Sequence, residues 1–237
     1  MQQMALKTNE KIPHTELVRF LDYCTVRKLP PKRAIIKPGD PADTLFYIIE
    51  GAVTVSIEND DGGDIILSYL NPGDFVGETG LFIKRENREV IVRTRSHCTI
   101  AHITYERLEE LSKTELKDDY ASIIFLLGKY ISTRLLQATK KVGHLAFMDA
   151  SGRIVQTLLE LCRQPDALSH PQGMQIKVSR TELGRIVGCS REMVGRVLKT
   201  LEHDQLIQVA GKTIVVVGNR EEILSPDATE HFLKPAQ

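Results

Sequence analysis

Residues 178–218 read VSRTELGRIVGCSREMVGRVLKTLEHDQLIQVAGKTIVVVG and hold two short apolar helix faces separated by a glycine turn. Leu183, Ile186 and Val187 line the first face, and Val194, Val197, Leu198 and Leu201 line the second. Gly188-Cys189-Ser190 supplies the turn, and Ser190 is a natural N-cap for the second helix. A two-helix unit closed by a Gly-containing turn is a helix-turn-helix. The β-branched segment Leu206–Val217, turning at Ala210-Gly211, reads as a hairpin that would form its wing. The non-core positions of the second helix are Arg191, Glu192, Gly195, Arg196 and Lys199. In the major groove guanine suits a long bidentate donor, while cytosine N4 donates to a carboxylate. Arg191, Arg196 and Glu192 match those needs. Ser190 and Lys199 are placed to meet phosphates, which position the protein without specifying sequence. Arg180, at the start of the first helix, completes the expected DNA-facing set. A blander reading of the same helix is a solvated face with Glu192 and Arg196 paired at i,i+4.

Charge helps to choose between them. The chain as a whole is neutral, with 31 Lys/Arg against 31 Asp/Glu, which alone argues against a nucleic-acid binder. The distribution reverses that argument. Residues 176–220 hold 8 Lys/Arg against 4 Asp/Glu, whereas residues 1–117 hold 16 against 18. A local basic module in a neutral chain is the electrostatic footprint expected of a DNA-binding domain.

Upstream, the block that begins at Asp149 opens with an amphipathic helix carrying Arg153, Ile154, Leu158, Leu159 and Leu161, followed by a polar Pro/His/Gly loop, QPDALSHPQGMQ. Residues 118–147 contain no proline and repeat apolar or small residues in a heptad. Ile124, Ile131, Ala138 and Leu145 hold one core position; Gly128, Leu135 and Val142 hold the other. Such a seam wants a partner helix, either in a second copy or in the chain's own domain. From about Leu29 to Ile103 short β-branched strands alternate with turns such as Pro38-Gly39-Asp40, Gly62-Gly63 and Pro72-Gly73-Asp74. This spacing predicts an antiparallel sandwich or barrel-like roll. The expected class is α+β. Its predicted parts are an N-terminal extension (1–22), a jelly-roll-like β-roll (23–117), a long dimerisation helix with its hinge (118–148), a winged helix-turn-helix (149–218) and a C-terminal tail (219–237).

Composition narrows the function classes. At 42% hydrophobic and 26% charged, the 237 residues are neither disordered nor a disulfide scaffold. Apolar runs such as Ile123–Gly128 are far too short for a membrane span, and MQQMALKTNEK has no apolar signal region. Cys24, Cys98, Cys162 and Cys189 are scattered with no metal-ligand spacing, which fits a reducing cytoplasm and no metal. Cys98 is expected as a buried strand thiol and Cys189 as packing between the two helices. No nucleophile–base pair is apparent, so no enzyme is expected.

One further cassette has chemistry of its own. Phe75-Val76-Gly77-Glu78-Thr79-Gly80-Leu81 reads as a turn running into a short helix. Glycines there let backbone N–H groups close on a phosphate, aided by the helix dipole. Glu78 can accept a ribose hydroxyl and Arg88 can fork onto the phosphate.

The stretches GCSREMVGRVLKTLE, SRTELGRIV, LAFMDASGRIVQTLLEL, FVGETGLF and KPGDPADTLFYIIEGAVTV together resemble the cyclic-AMP receptor protein branch of the CRP/FNR superfamily over roughly residues 25–218. The resemblance implies a homodimeric, cytoplasmic transcription regulator that activates or represses at a palindromic double-stranded DNA site of the TGTGA type. Half-sites would lie one helical turn, about 34 Å, apart. It implies effector contacts at Gly77, Glu78 and Arg88, with Thr79 beside them and Arg134 and Thr139 on the long helix. It also places Ser169, His170 and Gly173 on a surface that contacts RNA polymerase.

Two positions depart from the cyclic-AMP responders. Glu89 stands where the family usually carries Ser or Thr, and Ala138-Thr139 replaces a Thr-Ser pair. A carboxylate about 4 Å from a phosphate costs roughly 1 kcal/mol in water and about 4 at an effective dielectric of 20. That corresponds to a roughly ten- to thousand-fold weaker ligand. The Arg-Glu pattern resembles the Clp-type branch of xanthomonads, in which DNA binding does not require cyclic AMP and cyclic di-GMP inhibits. Three readings stand open: constitutive DNA binding inhibited by cyclic di-GMP, ordinary activation by cyclic AMP with Glu89 turned outward or paired with Arg88, and a nucleotide-binding module that does not bind DNA.

Overall fold

The computed structural model describes residues 15–58, 63–225 and 228–233. Gly62, residues 1–14 of the expected extension and the last four residues of the expected tail lie outside them. The chain divides into two compact units, the first ending at Gln137 and the second beginning at Ala138.

In the first unit helix α1 (Thr15–Asp22) leads into strands β1 (Thr25–Leu29), β2 (Ala34–Ile36), β3 (Thr44–Glu50), β4 (Val53–Glu58), β5 (Asp64–Leu70) and β6 (Phe75–Val76). A one-turn helix α2 (Thr79–Phe82) precedes β7 (Ile91–Thr94) and β8 (Cys98–Thr104), and helices α3 (Tyr105–Lys113) and α4 (Tyr120–Phe147) follow. The strands form two four-stranded sheets, ordered β1-β8-β3-β6 and β2-β7-β4-β5, with every pairing antiparallel. One apolar cluster, with Ile48, Val53, Val55, Val92 and Ile100, is drawn from both sheets. The second cluster packs Leu45 and Ile103 against Phe20, Leu108, Leu111, Ile123 and Leu127 of the helices. Strand β8 therefore lies between two apolar layers, and Cys98–Ala101 are all buried instead of alternating.

The sequence reading assigned residues 1–22 to an extension and no helix to 105–113. Instead, α1 sends Leu17 and Phe20 into the roll's core, and Thr104 caps α3 by accepting from the Arg107 N–H. Along α4 (Tyr120–Phe147) the apolar residues divide into two sets. Ile123 and Leu127 are buried against the roll, while the seam residues Leu135, Val142 and Leu145 stay 66%, 64% and 51% exposed. The helix runs unbroken through Gly143 and ends at Phe147, so a hinge in the predicted 118–148 segment could only follow it.

The second unit continues with α5 (Ala150–Cys162), β9 (Leu168–His170), β10 (Gly173–Lys177), α6 (Arg180–Val187) and α7 (Arg191–His203). Strands β11 (Ile207–Ala210) and β12 (Thr213–Val217) and the short helices α8 (Arg220–Ile223) and α9 (Ala228–Leu233) complete it. Asp149 caps α5 through the Gly152 N–H at 2.7 Å. Arg153 donates to the carbonyls of Met148 (2.8 Å) and Val187 (3.3 Å), tying the start of α5 to the end of α6. The segment QPDALSHPQGMQ, expected as a loop, contains the β9–β10 hairpin of a third sheet ordered β11-β12-β10-β9. Its missed signal is the alternation of Met174, Ile176 and Val178, all buried.

The described residues after 218 pack against the rest of this unit. Ile223, Ala228 and Phe232 are buried, Arg163 donates to the Ser225 carbonyl at 2.7 Å, and the Thr229 hydroxyl bonds Gln156. Among the described residues no helix is long and apolar enough to cross a membrane, and no group of three or more His, Cys, Asp or Glu side chains is placed to hold a metal ion.

Candidate nucleic-acid interface and anion cassette

Helices α6 and α7 are set by matched serine caps. Ser179 accepts from the Glu182 N–H at 3.1 Å and Ser190 from the Met193 N–H at 3.2 Å, each satisfying a first-turn donor. Val194, Val197, Leu198 and Leu201 are buried along α7, as their spacing predicts. The helices meet closely: a Cβ on Gly184 would lie 2.6 Å from the Cys189 carbonyl oxygen. Gly184→Ala is therefore expected to force the turn apart at a cost of about 1–3 kcal/mol, read as a lower unfolding midpoint together with weakened DNA retention.

Arg180, Ser190, Arg191, Glu192, Arg196 and Lys199 are all exposed. Arg180 Cδ lies 3.9 Å from where a Gly195 Cβ would be, so this side chain comes against α7 at Gly195. No ion pair joins Glu192 to Arg196 among the described residues. Ser169 and His170 lie on β9 at the sheet edge, and Gly173 pairs directly with His170. The cysteines carry no reactive thiolate signature. Burial pushes the Cys24 and Cys162 thiols up to about 12 and raises those of Cys98 and Cys189, the latter opposed by Arg153.

In the first unit the cassette between β6 and α2 is built by distant residues. Gly77 sits at φ 89°, and a Cβ there would lie 2.6 Å from the Thr44 carbonyl oxygen and 3.0 Å from Arg88 Nη1. Only glycine suits both the backbone conformation and the space. Arg88 donates to the Thr44 carbonyl at 2.5 Å, and its guanidinium carbon stands 6.0 Å from the centre of the Tyr105 ring. The Tyr105 hydroxyl donates to the Gly77 carbonyl at 2.6 Å. Thr79 opens α2, which is one turn long, so the expected helix-dipole contribution is small here.

Glu78 is 5% exposed and accepts from Arg134 Nη1 of α4 at 2.5 Å. Arg134 also faces the Tyr130 ring at 5.8 Å, and Tyr130 packs edge-on against Phe75 at 6.0 Å. The tyrosine hydroxyl is held neutral by burial and by Asp74, which accepts its hydrogen bond. Ala138 and Thr139 follow on α4, exposed, in the second unit.

Glu89 points away from the cassette. Its side chain is 74% exposed and accepts from Arg85 Nη1 at 2.6 Å, not from Arg88. The segment is tied to the 39–40 turn by Arg88 N–H to the Asp40 carbonyl (2.8 Å) and Gly39 N–H to the Arg88 carbonyl (2.9 Å). Sequence reasoning missed Tyr105 and the Thr44 carbonyl. They lie 28 residues from Gly77 and 44 from Arg88, and no local pattern marks them.

A β-roll with a glycine-lined anion cassette, a long helix and a winged helix-turn-helix define a class of DNA-binding regulators that carry a cyclic-nucleotide-type domain. The chain matches the cyclic nucleotide-binding domain over residues 26–115 and the Crp-like helix-turn-helix domain over residues 152–223. It is 50% identical over 202 residues to CRP-like protein Clp of Xanthomonas euvesicatoria pv. vesicatoria (strain 85-10), covering 85% of this chain and 88% of that relative. The solved structure of CLP, the c-di-GMP responsive global regulator that links cell–cell signalling to virulence gene expression in Xanthomonas campestris, aligns with a TM-score of 0.82 at 49% identity. That alignment covers 86% of this chain and 99% of CLP. A CRP-family transcriptional regulator from Thermus thermophilus shares the fold with a TM-score of 0.70 at 23% identity, covering 89% and 100% of the two chains. The chain belongs to the CRP/FNR family of transcription regulators.

Proposed function

We propose that this regulator acts as a homodimer that reads a TGTGA-type palindrome without any ligand, and that cyclic di-GMP weakens its hold on DNA. The contact between Glu78 and Arg134 at 2.5 Å carries this reading. The chain's own charges fasten α4 to the cassette, so that arrangement needs no nucleotide to bridge them. A ligand that favours another arrangement shifts the balance only by its differential affinity for the two. Likeness to the c-di-GMP responsive CLP supports the identity of the inhibitor. The exposed stripe of Leu135, Val142 and Leu145 supports pairing of α4 with a second copy. On the same reading, Ser169, His170 and Gly173 form the surface offered to RNA polymerase.

Ordinary activation by cyclic AMP is favoured by one observation, the outward side chain of Glu89. An exposed, solvent-screened carboxylate repels a bound phosphate far less than the 4 Å estimate above. Gly77, Glu78 and Arg88 then remain as an undisturbed ribose–phosphate set.

Calorimetric titration with each nucleotide, paired with affinity for a palindromic probe at one salt concentration, separates the two. The expected result is tight DNA binding by the protein alone, little heat from cyclic AMP and a loss of DNA affinity with cyclic di-GMP. DNA binding that appears only on adding cyclic AMP overturns the proposal in favour of the second reading. Absence of probe binding under every condition overturns both.

A further inference from the structure

We infer that Tyr105 is a positioning residue of the cassette, shaping it for a phosphodiester by fixing the Gly77 peptide with its hydroxyl and backing the Arg88 guanidinium with its ring. The inference rests on the effector role proposed for this cassette and adds a residue to it.

The contacts form a closed loop. Tyr105 donates to the Gly77 carbonyl at 2.6 Å, and that oxygen also accepts the Gly80 N–H at 3.1 Å. Two donors on one carbonyl hold the plane of the Gly77–Glu78 peptide and so set where the Glu78 N–H aims. A Cβ on Gly80 would strike the Tyr105 hydroxyl and ring, so the phenol is packed flush against the cassette. Tyr105 is itself anchored as the first residue of α3, and its N–H donates to the Asp43 carbonyl at 2.8 Å. The adjacent Thr44 carbonyl receives Arg88 at 2.5 Å. A single dipeptide, Asp43-Thr44, thus holds both the tyrosine and the arginine. The ring centre 6.0 Å from the Arg88 guanidinium carbon is within cation–π range, which favours the cation over that face. Burial raises the phenol's pKa against the opposing pull of Arg88, so it remains a protonated donor at neutral pH.

An ordinary packing role would also place a tyrosine here, and a double-mutant cycle distinguishes the two. Tyr105→Phe keeps the ring and deletes the hydroxyl. Affinities for cyclic AMP and for cyclic di-GMP are measured by calorimetry in the unaltered protein, Tyr105→Phe, Arg88→Gln and the double variant. Tyr105→Phe is expected to weaken whichever nucleotide binds by about 3- to 10-fold, the worth of one hydrogen bond. In the Arg88→Gln background the same change is expected to cost less than about twofold, because both residues act on one phosphate. DNA affinity without ligand and the unfolding midpoint serve as folding controls. Equal losses in both backgrounds, or no loss in Tyr105→Phe, overturn the inference while leaving the effector reading intact. If the unaltered protein binds neither nucleotide, the effector reading fails and takes this inference with it.

Discussion

Dimers carrying Arg196→Ala are expected to bind a palindromic probe at least about 30-fold more weakly than the unaltered protein, with a loss of up to about 20,000-fold. Each arginine reading a guanine is worth about 1–3 kcal/mol of discrimination, and a twofold dimer makes the contact twice. Contacts one helical turn apart share no partners and so add, giving about 2–6 kcal/mol in all. Arg196 is exposed on α7 and takes no ion-pair partner among the described residues, so its removal leaves the helix folded. The signature lies in the contrast between probes. Affinity for random DNA should fall much less, since phosphate contacts dominate there. Lys199→Ala should behave oppositely, weakening specific and random DNA alike and shallowing the salt dependence. Fluorescence anisotropy with both probes over a salt series measures this. Equal losses of Arg196→Ala on the two DNAs would show that the side chain meets the backbone and reads no base.

The second large effect is expected at the Glu78–Arg134 pair. Arg134→Leu leaves a carboxylate 5% exposed without its counter-charge. Stranding one partner of a buried pair costs about 3–5 kcal/mol. The Arg134 side chain is 27% exposed against 6% for Glu78, which places this pair toward the lower end of that range. About 3 kcal/mol should be lost from the first unit, seen as an earlier denaturant midpoint. Pairing the change with Glu78→Met should restore most of it, because the buried charge is then gone as well. If α4 is held in its DNA-competent arrangement by this contact, Arg134→Leu should also lose affinity for the palindrome before it unfolds. A single variant as stable as the unaltered protein, with DNA affinity unchanged, would show that the pair holds nothing in place.

The two halves of the molecule differed in how far sequence reasoning could reach. In the helix-turn-helix nearly every informative feature is local. Ser190 caps three residues ahead at Met193, Gly188 ends α6 beside the turn, and the buried face of α7 repeats every three to four residues. Such signals lie within one helical turn of chain and are legible without tertiary contacts. The β9–β10 hairpin was misjudged because its first strand has three residues and only one of them is partly buried. Helices α1 and α9 were missed because each is short and derives its stability from apolar contacts such as those of Phe20 and Phe232 with chain far away in sequence.

The cassette followed the opposite rule. Gly77, Glu78, Arg88 and Arg134 could be picked out by type and motif, but not what each would bond. Arg134 meets Glu78 across 56 residues, Tyr105 meets Gly77 across 28, and Glu89 pairs with Arg85 and not with Arg88. The sequence by itself determined the class of fold, the helix-turn-helix and the residue types placed on its exposed face and in the cassette, since periodicity, capping and charge act over a few residues. Which carboxylate faces the cassette, which carbonyl holds its arginine and which phenol closes it were decided only by tertiary structure. Those pairings depend on sheet register and on the packing of α3 and α4 against the roll, and they arise only when distant segments are brought within hydrogen-bond distance.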